Sequence, residues 1–243
     1  MMESKLKIKT MKKSILLFFA AVAVFTACNN EITDEINNPA EVNVIYELIK
    51  GVEDNGSVTQ YTRAMVFTDE YSMYDAIKDG GITLNDEELP FNEQTKTYFT
   101  DQEIMHDSLY TFQMTLSNGN KYTSSVRTPA KMFGTVMTNP AVYSTSVNLN
   151  IEWSDTIPDA TVNIEFFGKP FNEAETILIF DTETEDDGSY VLNKNSLPSQ
   201  YQDVSLENAY IRLSRLAEGN KSGAFSSEDI YVLFSYIAAI ETE

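Results

Sequence analysis

An all-β fold, arranged in two consecutive halves, is what this chain predicts, and three observations predict it. From Val42 onward, apolar residues recur at every second position in short runs. The runs return at roughly 8–12-residue intervals, a spacing that marks sandwiches or barrels. Breaks rich in Asn, Asp, Gly and Pro separate them. The composition agrees, since 13 Tyr and 14 Phe accompany frequent β-branched residues. These residues suit a pleated, half-buried surface rather than a disordered chain. No long amphipathic helical period is visible.

Taken in order, the first half opens with Val42, Val44, Tyr46 and Leu48 facing one way and Asn43 and Glu47 the other, a half-buried strand. Glu53-Asp54-Asn55-Gly56 is a turn and Val58 to Thr68 a second strand. Tyr71 to Lys78 fits either one helical turn or an irregular crossing. Asp79-Gly80-Gly81 ends it, and Ile82-Thr83-Leu84 leads into Asn85-Asp86. Brief strands are expected at Leu89 to Phe91 and Thr97 to Thr100. Ser108 to Leu116 and Lys121 to Val126 flank Asn118-Gly119, a strong hairpin signature. Pro129 cannot donate to a ladder and suits an exit from a sheet. The boundary is therefore placed here, with a first domain over 42–130 and a second over 131–243.

In the second half Val147, Leu149, Ile151 and Trp153 alternate with Asn148, Asn150 and Glu152. Asp155 to Asp159 turns, and Thr161 to Phe167 is another strand. Thr176 to Phe180 and Ser189 to Asn193 flank the acidic turn Glu185-Asp186-Asp187-Gly188. Asn208 to Leu216 and Asp229 to Ile240 finish the set. Ile230 to Ile240 is continuously apolar, and its β-branched and aromatic content makes it a closing strand.

Ahead of all this stands Met11 to Asn30. Lys12 and Lys13 precede the apolar run Ile15 to Phe25, which ends in Thr26-Ala27-Cys28. A basic start, an apolar segment of this length and a small residue at the end are the marks of a signal peptide. The run is well short of the ~20 residues that span a bilayer. Cys28 is the only cysteine in the chain, so no internal disulfide is available. Phe25-Thr26-Ala27-Cys28 resembles a bacterial lipoprotein lipobox, in the relaxed form with Phe at its first position that is found in the Bacteroidota. The resemblance implies cleavage after residue 27, acyl chains on Cys28 and lipid anchoring in the outer membrane. Glu31, Asp34 and Glu35 resemble the acidic signal that sends such lipoproteins to the cell surface. Residues 1–10 look like an upstream extension, leaving Met1 and Met11 both open as the start. Residues 28–41, polar and broken by Pro39, are expected to be a flexible tether.

Cleavage removes five lysines and one glutamate, leaving 12 basic and 36 acidic side chains on 216 residues. Such a surface repels phosphate backbones, which excludes nucleic acid as a partner. Membrane contact is expected through the lipid and not through the fold.

Gly81-Ile82-Thr83-Leu84-Asn85, followed by the Tyr-rich hairpin ending in Thr128-Pro129, resembles the immunoglobulin-like domain of many Bacteroidota surface lipoproteins. Ile151-Glu152-Trp153-Ser154-Asp155 is similar to a fibronectin type III sandwich. These resemblances imply two consecutive β-sandwich (Ig-like) domains and carry no catalytic residue across.

Catalytic chemistry finds little footing. The single histidine, His106, neighbours Asp107 and Ser108, but adjacency in sequence is not triad geometry. A zinc site of His and Cys lacks ligands. Glycosidase-type carboxylate pairs cannot be singled out among so many acids. Glu183, Glu185, Asp187 and Gly188 match the first offsets of a calcium loop, but Lys194 occupies the position that needs a bidentate Glu. A hairpin turn with Gly at positive φ is the plainer reading. Trp153 is expected in the core, and Tyr71, Tyr74, Tyr143 and Tyr201 are the candidate exposed aromatics for a sugar. No catalytic residue, metal or cofactor is assigned. The function expected is a non-enzymatic binding, adhesion or assembly module with a protein or glycan partner. The alternatives are a glycan hydrolase working through two carboxylates and a subunit that lends an edge strand to a complex.

Overall fold

The computed structural model describes residues 35–68, 76–77, 79–171 and 173–242, all within the compact unit Asp34–Glu243. The signal segment 1–27 and Cys28 lie outside the described residues. The strands are β1 (Asn43–Glu53), β2 (Val58–Phe67), β3 (Gly81–Leu84), β4 (Glu87–Leu89), β5 (Phe91–Asn92), β6 (Thr97–Thr100), β7 (Leu109–Thr115) and β8 (Lys121–Arg127), then β9 (Val136–Asn139), β10 (Val142–Tyr143), β11 (Leu149–Trp153), β12 (Thr161–Pro170), β13 (Ile177–Glu185), β14 (Ser189–Leu192), β15 (Leu206–Glu218) and β16 (Ser227–Thr242). Helical structure among the described residues is limited to three short 3-10 turns, so the chain is all-β.

One large sheet has the order β13-β12-β15-β16-β1-β2-β6-β5, with β10 paired to the end of β16. Two small sheets accompany it, β4-β3-β7-β8 and β14-β11-β9. Strand periodicity shows where they sit. Ile230, Val232 and Phe234 of β16 belong to the first hydrophobic core, and Ile240 of the same strand belongs to the second. All four have the same parity, and the register of β16 against β15 runs without a shift. They therefore lie on one face of the sheet. The two small sheets cover that face side by side, making two sandwiches on a common back.

The first core sets Val44, Tyr46 and Leu48 of β1 against Phe112, Met114 and Val126 of the four-stranded sheet. Tyr46 stacks on Phe112 with ring centroids 4.5 Å apart. The second sets Val162, Ile164 and Phe166 of β12 and Ile211 and Leu213 of β15 against Leu149, Ile151, Trp153 and Leu192. Each such side chain contributes about 1.5–3 kcal/mol on full burial, which substitutes for the missing disulfides.

The Asn118-Gly119 hairpin forms as expected, with Leu109 opposite Arg127 and Gly119 at φ +80°. The final apolar run is strand β16. Three features differ from the sequence reading. The tether is shorter than 28–41: Ile36 is buried in the first core, its backbone bonded both ways to Ser117, because one apolar side chain among polar neighbours finds a place against β7. The turn at 186–188 keeps Gly188 at φ +95° but does not close a hairpin, since β13 pairs with β12 and β14 pairs with β11. Finally, residues 131–243 are not confined to the second sandwich. The β15–β16 hairpin spans both, and β1 pairs in parallel with β16 from Asn43 opposite Ser227 to Glu53 opposite Ile237.

Candidate binding surface

Since both small sheets use one face of the large sheet, no described sheet packs on its opposite face. Strand register arranges the side chains of that open face in rows running across the strands. One row is apolar, with Tyr61 of β2, Ile49 of β1, Leu233 of β16 and Leu216 of β15 directly abreast. Leu216 is 59% exposed. It lines a cleft of about 280 Å³ with Glu218, Lys221, Asp229, Ile230 and Tyr231.

The row on one side is Phe99, Arg63, Glu47, Tyr231 and Glu218. Here Glu47 is held by the Arg63 guanidinium and accepts a 2.7 Å bond from the Tyr231 hydroxyl. Partial burial, then the bond to Glu47, pushes the Tyr231 phenol pKa well above its ordinary value. The Arg63 guanidinium lies 5.6 Å from the Tyr61 ring centre, and Tyr61 stacks on Phe99 at 6.0 Å. The row on the other side is small and polar, with Thr59, Gly51, Ser235, Ser214 and Asn163 abreast. Beyond it Arg212 forks onto Glu165 through two bonds of 2.6 and 2.7 Å and lies 5.1 Å from the Phe167 ring centre. Arginines that both pair with a carboxylate and lie on an aromatic ring are rigidly posed. The face therefore presents a flat apolar strip between fixed polar margins, which is the anatomy of an interface.

This surface was not singled out from the sequence. Its signal is the apolarity of Ile230 to Ile240, broken only by Ser235: a strand with one wet face alternates, whereas here Tyr231, Leu233 and Ile237 interleave with the buried set.

The residues weighed in the sequence fall elsewhere. His106 is exposed, and its ring meets Phe234 edge-on at 5.5 Å. Desolvation, then Lys50, lowers its pKa. Ser108 donates to the His106 carbonyl and Asp107 pairs with Arg127, so these three do not assemble as a triad. Trp153 is buried in the second core, as expected. Tyr143 is buried in the same core, its ring edge-on to Phe166, and Tyr201 is half-buried against it, so neither offers an exposed platform. Tyr71 and Tyr74 lie outside the described residues.

The acidic segment 181–188 is split in use. Asp181, Glu183 and Glu185 are exposed along β13, whereas Asp186 is buried. Its carboxylate accepts from Trp153 Nε1 at 2.7 Å, from the Ile157 amide at 2.9 Å and from Arg215 Nε at 2.7 Å. Arg215 is fully buried as well. It donates to the Lys131 and Asp155 carbonyls and lies 4.0 Å from the Phe133 ring centre. Strand geometry thus spends the calcium-like spacing on an edge and an ion pair. Among the described residues no three His, Cys, Asp or Glu side chains cluster as metal ligands.

No protein-family model matches the chain, and no curated protein matches it. Among solved structures, the FN1-FN3 domains of chicken CNTN1 are similar over 82% of this chain and 65% of their own, with 13% identity and a TM-score of 0.25. The chain thus spans less than two thirds of that structure. The fold described above rests on its own sheets and registers.

Proposed function

We propose that this chain is a lipid-anchored protein of the bacterial cell envelope that acts as a non-enzymatic binding or assembly module, with the open face of the large sheet as its binding surface. The observation that carries the binding role is the aligned row Tyr61, Ile49, Leu233 and Leu216 between posed ion pairs. An apolar strip on an otherwise acidic surface is stabilised by being covered. The anchor is supported by the sole cysteine standing at the end of a signal segment. Several acyl chains there would hold the acidic module at the outer membrane, facing outward if the acids after Cys28 act as an export signal.

Two experiments test this reading. Metabolic labelling with palmitate should mark the wild-type chain and not Cys28→Ala; equal labelling of the two removes the anchor. Pull-down and glycan-array binding should be lost in Leu216→Glu while circular dichroism is unchanged; a variant that keeps every wild-type partner removes the face from the function.

A further inference from the structure

We infer that the open face docks onto the same face of a second copy of this chain, giving a two-fold dimer of large sheets. The inference rests on reading that face as the binding surface and names its occupant. The first support is charge. The chain carries a net charge of −20, so two copies repel wherever acids stand uncompensated. Across the middle of this face they do not: Glu47 is held by Arg63, Glu165 by Arg212 and Asp229 by Lys221, while the exposed Glu53 and Glu218 stand at the ends of β1 and β15. A like-charged copy would here meet neutral pairs and an apolar strip together. The exposed acids Asp181, Glu183 and Glu185 stand at its margin on β13, where they limit approach to one flank.

The second support is area. The five central strands β2, β1, β16, β15 and β12 at ~4.8 Å spacing span about 24 Å, and ten residues along them span about 33 Å. The resulting patch of about 800 Å² is what one partner contributes to a standard stable interface. The third is self-complementarity. A two-fold contact uses one patch twice, and twisted sheets stack face to face at about 10 Å, with strands crossing near 30°. A strip of Leu and Ile side chains flanked by small Ser and Gly positions fits that packing.

The test is sedimentation of the full chain in density-matched detergent, with Cys28→Ala alongside so that shared micelles are not read as dimers. Both should show a concentration-dependent monomer–dimer equilibrium. Leu216→Glu should weaken it at least tenfold with circular dichroism unchanged. Val191→Glu, exposed on β14 of a small sheet, should leave it intact. Monomers throughout, or a dimer that Val191→Glu breaks and Leu216→Glu does not, overturn the inference. A monomeric chain that still loses a captured partner on Leu216→Glu overturns the dimer and leaves the binding face standing.

Discussion

Because β15 and β16 serve both sandwiches, damage in one core should be felt in the other. Phe112→Ala puts a number on this. Phe112 is fully buried in the first core, on β7 of the four-stranded sheet. It stacks on Tyr46 of the same core. Truncating a buried Phe costs about 3–5 kcal/mol, cavity included. Trp153, the sole tryptophan, is buried in the second core and reports that core's unfolding. The first core draws Ile230, Val232 and Phe234 from β16. Losing them at about 1.5–3 kcal/mol each would remove a sum comparable to the ~5–15 kcal/mol that holds a typical domain. The first sandwich therefore cannot stay folded once β16 leaves, and the second loses Ile240 and the β15 ladder with it. Urea unfolding followed by Trp153 fluorescence should shift to lower midpoint by the full 3–5 kcal/mol estimated above, coincident with circular dichroism. A Trp153 transition that keeps its wild-type midpoint while half of the far-ultraviolet signal melts early would refute the coupling and restore two independent domains.

Two other outcomes are expected. Arg215→Met leaves the Asp186 carboxylate buried with its charge unpaired and should destabilise by about 3–5 kcal/mol; the double variant with Asp186→Leu should cost clearly less than the summed single variants, and simple additivity in urea titrations would count against a coupled pair. The Tyr143 hydroxyl is buried without a partner among the described residues, and burial pushes its pKa from 10.0 up to about 12. The folded state thus favours the neutral phenol, so its contribution is complete below pH 10 and lost as pH rises through about 12. Tyr143→Phe should raise stability by about 1 kcal/mol and flatten the decline between those pH values, which unfolding curves across that range measure.

Local structure was legible because local chemistry decides it. Asn118-Gly119 fits a turn needing positive φ, and its flanking alternation leaves one register for β7 against β8. Ile230 to Ile240 is strand because its branched and aromatic side chains pack on a pleat. What escaped is pairing between distant segments. Nothing near Val44 announces Glu228 as its parallel neighbour 184 positions on, and residues 186–188 look like a hairpin turn until β13 and β14 are seen in different sheets. Arg215 left a trace: it shares parity with Ile211 and Leu213 on β15, so alternation alone aims a charge inward. Asp186, following the exposed Glu183 and Glu185, left none.

The parallel pairing of β1 with β16 has a mechanical side. If the proposed anchor and binding face both hold, tension between them would run along the axis of β1. The ladders to β2 on one side and β16 on the other would then be stressed in shear, with many backbone bonds sharing the force at once instead of opening singly from an end. A β1 placed at the sheet's edge would peel. Set between two neighbours and preceded by the docked Ile36, β1 would resist such a pull.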